Sequence, residues 1–178
     1  MFKKNREVSF KTSKGVFDVE LYGENNPVTT NNFIKNIKKN IYKNKSFYKI
    51  INFPQVKIIY SGIYSVDNYH KKENQNLNKF RRSIPLEIKF KKEIEPKYSY
   101  QVTDPSHIAK LTNVFEKGSI AMVKRDKRNS SSTEFFFVTN KFPELDGRYS
   151  IFGKVVKGIE ILEKLEKEDL IYEIIISN

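Results

Sequence analysis

GSIAMVKRDKRNSSSTEFFFVT, Gly118 to Thr139, followed two residues later by FPELDGRYSIFGKVVKG, Phe142 to Gly158, is the part of the chain on which the fold turns. Three runs in it, Ser119 to Val123, Phe135 to Thr139 and Ser150 to Val156, are short and rich in β-branched and aromatic residues, as strands are. Leu145-Asp146-Gly147-Arg148 has tight-turn chemistry. Beyond Gly158, Ile159, Leu162 and Leu165 recur at helical spacing, and Leu170 to Ile176 reads as a last strand.

Working outward, the opening of the chain reads as a hairpin. Val8, Phe10 and Thr12 alternate with polar residues, Ser13-Lys14-Gly15 supplies the turn, and Val16, Phe17, Val19 and Leu21 form the return strand. Asn25-Asn26-Pro27 ends it. Thr29 or Thr30 is then placed to cap a helix whose apolar face is Phe33, Ile34, Ile37 and Ile41. Ser46 to Ile51 and Val56 to Ile63 read as two further strands, with Pro54 between them arguing against one continuous central strand. Two long loops are expected as insertions, at about 66–83 and 89–117, with residues 1–6 as an N-terminal extension to a single domain spanning 7–178. Many short strands with two short amphipathic helices point to a mainly β, closed antiparallel barrel capped by those helices, because closure removes exposed sheet edges.

Composition narrows the chemistry. Across 178 residues the chain is 38% hydrophobic and 13% aromatic, enough for one sizeable core. It has no cysteine, which excludes disulfides, thiolate metal sites and a cysteine nucleophile. The two histidines, His70 and His107, lie far apart on polar stretches, so no metal is expected. No apolar run approaches the roughly 18 residues of a membrane span, and Met1 to Glu7 is too short and polar for a signal sequence. The expectation is a soluble monomer, cytoplasmic as the chain stands and extracytoplasmic if a leader was removed. Lys and Arg number 33 against 21 Asp and Glu, for a net charge of +12. That favours acidic partners. Nucleic acid is not the expected one, since only Tyr69 and Phe80 interleave with the cluster Lys71, Lys72, Lys79, Arg81 and Arg82.

The quoted stretches closely resemble cyclophilins. The family's pattern of Ala-Met or Ser-Met, a small-residue loop, Gln-Phe-Phe, Leu-Asp-Gly and Phe-Gly-x-Val is met by Ala121-Met122, Asn129-Ser130, Glu134-Phe135-Phe136, Leu145-Asp146-Gly147 and Phe152-Gly153-Lys154-Val155. Upstream, Pro27, Thr29, Asn32 and Phe33 resemble Pro-x-Thr-x-x-Asn-Phe, Phe47-Tyr48-Lys49 stands where the family has Phe-His-Arg, and Ile84-Pro85-Leu86-Glu87 resembles Ile-Pro-Asp-Glu. The resemblance covers most of the chain outside the two long loops. It implies an eight-stranded barrel and a peptidyl-prolyl cis/trans isomerase without a cofactor, assisting protein folding and acting on proline-containing polypeptide segments.

Rotation about a peptide bond is opposed by about 18–20 kcal/mol of resonance. Lowering that barrier needs an apolar slot for the proline ring and a donor aimed at the prolyl nitrogen. The resemblance puts Lys49 at the donor position, Glu134 at the rim glutamine, Tyr60 at the glutamine of the middle strand and Tyr149 at the rim histidine. Phe136, Met122 and Leu145, with Phe47 and Val123, are the expected slot, and Val56 or Ile58 supplies its remaining wall. Glu134 can pair with Lys49 and orient it. Lysine lacks the planar fork of arginine, and one lost donor costs about 10²–10³ in rate. The expectation is a weak isomerase. The alternative is an impaired module that binds proline peptides, and the Lys124 to Arg128 run at the groove's edge favours acidic segments in either case.

Overall fold

The computed structural model describes residues 4–63 and 82–177. Lys71, Lys72, Lys79, Arg81, His70, Tyr69 and Phe80, and with them most of the expected 66–83 insertion, lie outside those residues.

The opening hairpin forms β1 (Arg6–Thr12) and β2 (Gly15–Leu21), followed by α1 (Pro27–Lys38). Then come β3 (Lys45–Ser46), β4 (Lys49–Asn52) and β5 (Lys57–Ser61). Short strands β6 (Ser83–Pro85), β7 (Glu87–Ile88) and β8 (Lys97–Tyr98) precede the single turn α2 (Pro105–Ile108). The quoted stretches supply β9 (Ser119–Lys124), β10 (Asn129–Val138), a 3-10 turn at Pro143–Leu145 and β11 (Ile151–Lys157). The chain ends in α3 (Ile159–Lys164) and β12 (Leu170–Ile176).

The expected closed eight-stranded barrel needs correction. Among the described residues the main sheet has ten strands, and its ladder runs in the open order β3-β12-β1-β2-β11-β9-β10-β5-β4, with β6 alongside β10. The two ends of that path are consecutive in sequence. The single strand expected over Ser46 to Ile51 bends at Phe47 and Tyr48, so that β3 pairs with β12 while β4 pairs with β5. The sheet therefore curls round and is joined at its seam by covalent chain rather than by a ladder. Strand β10 also exceeds its expected Phe135 to Thr139. The small residues Asn129 to Ser131 pair with β6, and the register shifts between Ser130 and Phe135.

The curled sheet has an inner and an outer apolar face. Inside, Phe10, Phe17, Phe33, Phe135, Phe137 and Phe152 form the aromatic centre of the main core. Helix α1 covers one end with Phe33, Ile34 and Ile37, as its spacing indicates, and Leu162 and Leu165 cover the other. The cap of α1 differs from expectation. The helix begins at Pro27, whose missing N–H is no loss in the first turn. The Glu87 carboxylate, from β7, accepts the backbone N–H groups of Val28 (2.9 Å) and Thr29 (2.6 Å) and the Thr29 hydroxyl. A carboxylate from another element thus satisfies donors that a helix start leaves unpaired. Residues 89–117 are not a bare loop: Phe90, Val102 and Leu111 build a third apolar cluster with Leu86 and Ile88.

Candidate functional site

Cross-strand register assembles the site. Lys49 lies opposite Tyr60, Tyr60 opposite Phe136, Phe136 opposite Ala121 and Ala121 opposite Ile151. Directly opposed residues share a face of a sheet, so these five form one row on the outer face of the curl. Phe135 and Phe137, on either side of Phe136, point into the main core. The outer cluster comprises Val56, Ile58, Phe115, Ala121, Phe136, Val138 and Ile151. Tyr60, Val123, Leu145 and Tyr149 pack against it.

Expected slot residues Phe136, Val123 and Leu145 are thus together, with the rim residue Tyr149 against them, as are the suggested walls Val56 and Ile58. Met122 and Phe47 are not. Both are wholly buried in the inner core. Met122 stands opposite inward-facing Phe135, so strand alternation turns it away from the groove. Phe47 sits at the bend between β3 and β4 with its ring inside.

Phe136 is the floor of the outer cluster and only 1% exposed. Phe115 stacks on it at 5.7 Å between ring centroids, Tyr149 meets it edge-on at 5.2 Å and Tyr60 lies 5.4 Å away. Phe115 went unrecognised in the sequence because it falls in an irregular stretch with no periodicity. It is held there by Asp146 of the Leu-Asp-Gly turn, whose buried carboxylate accepts the Phe115 N–H at 2.7 Å. Burial pushes the Asp146 carboxyl above its ordinary value, against the pull of that hydrogen bond. Burial also raises the phenols of Tyr60 and Tyr149, so both are neutral hydroxyls at neutral pH.

The polar rim is arranged differently from the expectation that Glu134 pairs with Lys49. The Lys49 ammonium stands over the Tyr60 ring, 5.3 Å from its centroid. Glu134, 3% exposed and on the same face as Phe136, pairs through Oε2 with Arg125 Nη2 at 3.0 Å. Its Oε1 accepts the Tyr48 hydroxyl at 3.2 Å. Arginine is the better partner for a buried carboxylate because its fork fixes geometry and is weakly hydrated. Asn32 of α1 donates to the Ser132 carbonyl at 2.7 Å, as does Asn36, fastening the helix to the segment that carries Glu134.

A cationic edge flanks the groove. Lys124 donates to Gln101 at 2.7 Å and stands 5.7 Å from the centroid of the Tyr149 ring. Burial, then the neighbouring Arg148 and Lys127, hold its ammonium below the usual lysine value. Among the described residues no group of three or more His, Asp or Glu could hold a metal, and no helix is long and apolar enough to cross a membrane.

The family model for the cyclophilin type peptidyl-prolyl cis-trans isomerase matches residues 7–175. A peptidyl-prolyl cis-trans isomerase of Arabidopsis thaliana is 28% identical over 162 residues, covering 90% of this chain and 60% of the relative, so the chain spans three-fifths of that protein. A Cryptosporidium parvum cyclophilin type isomerase has a similar structure, with a TM-score of 0.66 and 23% identity, covering 98% of this chain and 99% of its own. The same parasite protein in the presence of the dipeptide Ala-Pro gives a TM-score of 0.65 at 24% identity, over 97% of this chain and 99% of that one.

Proposed function

This chain belongs to the cyclophilin-type peptidyl-prolyl cis-trans isomerase family, and from that premise we propose that its outer groove binds proline-containing polypeptide segments and isomerises X-Pro bonds slowly, acting as a monomer and without a cofactor. One observation carries the reading: register and packing place Phe136 as an aromatic floor beneath a rim that contains Tyr60, Tyr149, Glu134 and Lys49. The proline ring would rest on Phe136, Val123 and Leu145, displacing Tyr60 or Tyr149 from above the floor. Lys49 and Tyr60 would supply N–H and O–H groups toward the twisted amide, whose nitrogen lone pair localises as resonance is lost. No bond is made or broken. The presence of Ala-Pro with the Cryptosporidium protein supports the choice of ligand.

Two features support low turnover. An ammonium replaces the guanidinium at the donor position, and the floor is nearly closed by its own tyrosines. The same features favour the second reading, a module that binds without meaningful catalysis. Lys124, with Arg148 and Lys127 close enough to depress its pKa, supports a preference for acidic segments.

The test is exchange NMR on an Ala-Pro peptide with wild type, Lys49→Ala and Phe136→Ala. The expected result is acceleration by wild type that falls in both variants. A well-folded wild type that binds the peptide without accelerating exchange would leave the binding module.

A further inference from the structure

The apolar surface around Phe136 does not end at the tyrosines of its rim. We propose that Phe53 and Phe142 form a subsite at one end of the outer groove, and that it takes a large apolar side chain of the substrate polypeptide, aromatic by preference, roughly two to four residues from the proline. The proposal rests on the isomerase reading above and adds a feature by which the groove selects its segment.

Strand register locates the pair. Phe136 is followed on the outer face of β10 by Val138, which stands opposite Ile58, and Val56 comes next in that direction on the chain entering β5. Two residues of strand advance about 7 Å, so Val56 lies about 13 Å along the sheet from the row of Phe136 and Tyr60. Phe53 closes the turn before Val56: its N–H donates to the Val56 carbonyl at 2.9 Å, and its ring meets Phe142 at 5.4 Å between centroids. Phe142 packs on the outer cluster and donates its N–H to the carbonyl of Phe115, the residue stacked on Phe136. An extended chain spans about 3.3–3.6 Å per residue. A segment that runs along the strands from a proline on Phe136 therefore brings a nearby side chain over the pair. Glu134 and Lys124 lie the other way along β10 and β9, so the groove is aromatic toward one end and charged toward the other.

The two rings are held from both sides. Asn140 donates to the Gln55 carbonyl at 3.1 Å, the Thr139 N–H donates to the Lys57 carbonyl at 3.0 Å, and the Lys57 N–H donates to the Thr139 hydroxyl at 2.9 Å. The turn that carries Phe53 is thereby tied to the segment that carries Phe142. Within that frame the Phe53 residue stays 46% exposed, although Val56, three places on, is buried. A lone exposed ring is ordinary on a protein surface. An aromatic pair continuous with the Phe136 cluster is different: it offers ring faces and edges to a third ring, and its fixed backbone leaves little to be ordered on binding.

The experiment uses a host peptide with one proline in an alanine background, and the same host with a single Phe placed two, three or four residues before or after the proline. Affinity and exchange kinetics are measured with wild type, Phe53→Ser, Phe53→Leu and, as a control, Ile94→Ser at an exposed position in the 89–117 region. Wild type should bind the Phe peptides of one side about 3- to 10-fold more tightly than the host. The gain should appear in KM with kcat the same for host and Phe peptides, because a contact remote from the twisting bond is made equally before and during rotation. Phe53→Ser should bind the Phe peptides no more tightly than the host, Phe53→Leu should keep part of the preference, and Ile94→Ser should keep all of it. If the pair only caps the hairpin, Phe53→Ser loses urea stability and retains the wild-type preference. That result, or equal wild-type affinity for the host and every Phe peptide, would overturn the subsite and leave the isomerase reading, which the host peptide reports, intact. No binding of any of these peptides by wild type would remove both.

Discussion

Gly147 shows how one residue holds the site together. Its φ is +72°, a left-handed conformation that glycine adopts freely and other residues at a cost. A Cβ there would come within 2.5 Å of the Val102 carbonyl oxygen and 2.9 Å of the Val102 Cβ, and the Val102 N–H already donates to the Gly147 carbonyl at 2.9 Å. The neighbouring Asp146 fixes Phe115, and Phe115 backs Phe136. Gly147→Ala should therefore cost about 1–3 kcal/mol in urea denaturation and weaken peptide binding by the folded protein, because the turn and the slot share an anchor. Unchanged affinity in the folded fraction would uncouple them. At this scale the sequence was partly legible. Leu-Asp-Gly announces a turn, and motif position points to Phe136 and Tyr149, whose rings the structure packs together. Phe115 and Tyr48 carry no periodic signal, and Arg125 was legible only as one member of a basic run, since its pairing with Glu134 depends on how the loop after β9 folds back. Met122 and Phe47 were misassigned because a motif reports neighbourhood while strand alternation decides the face.

Among the elements, α1 is positioned by a residue 58 places further on. Glu87 is 1% exposed, and its carboxylate takes two backbone donors and a hydroxyl at the start of the helix. Burial raises its pKa, with the Thr29 and Val28 hydrogen bonds opposing the rise. A carboxyl raised in the folded state binds more protons there than when unfolded. Its contribution is then fully present below the unfolded value, near 4.5, and is lost as pH rises through the folded value. Glu87→Gln offers one acceptor and turns an amide N–H₂ toward donors, leaving a buried group unsatisfied at a cost of about 1–3 kcal/mol. The deficit of the variant in urea denaturation should be largest at acid pH and shrink toward neutrality. A deficit that grows with pH would mean that the hydrogen bonds outweigh burial and that the charged form is the stabilised one. None of this was visible in the chain, where Thr29 and Thr30 looked sufficient to cap the helix. Strands of two or three residues, such as β6 and β7, are equally silent because they are too short for alternation to register.

For the whole molecule, alternation in many short strands and the apolar faces of two helices argue for a barrel-like antiparallel sheet, and the family's motifs, in their order along the chain, carry the rest of the reading. The open seam escaped notice because it depends on a bend inside one run, not on composition. Net charge is the remaining global property, and it can act in two ways. A charge of +12 spread over the surface attracts any acidic segment weakly and at long range. Lys124, Arg148 and Lys127 at the groove would instead act locally, in contact with the residue next to the proline. Salt separates the two, since the Debye length falls from about 10 Å at 0.1 M to about 3 Å at 1 M and partly buried contacts are screened least. Affinities for Ala-Glu-Pro and Ala-Lys-Pro peptides, titrated at both salt concentrations with wild type and Lys124→Met, should show a preference for the acidic peptide that persists at high salt and shrinks in the variant. A preference abolished by salt and indifferent to Lys124 would assign it to the overall charge, and the groove would then read proline without reading its neighbour.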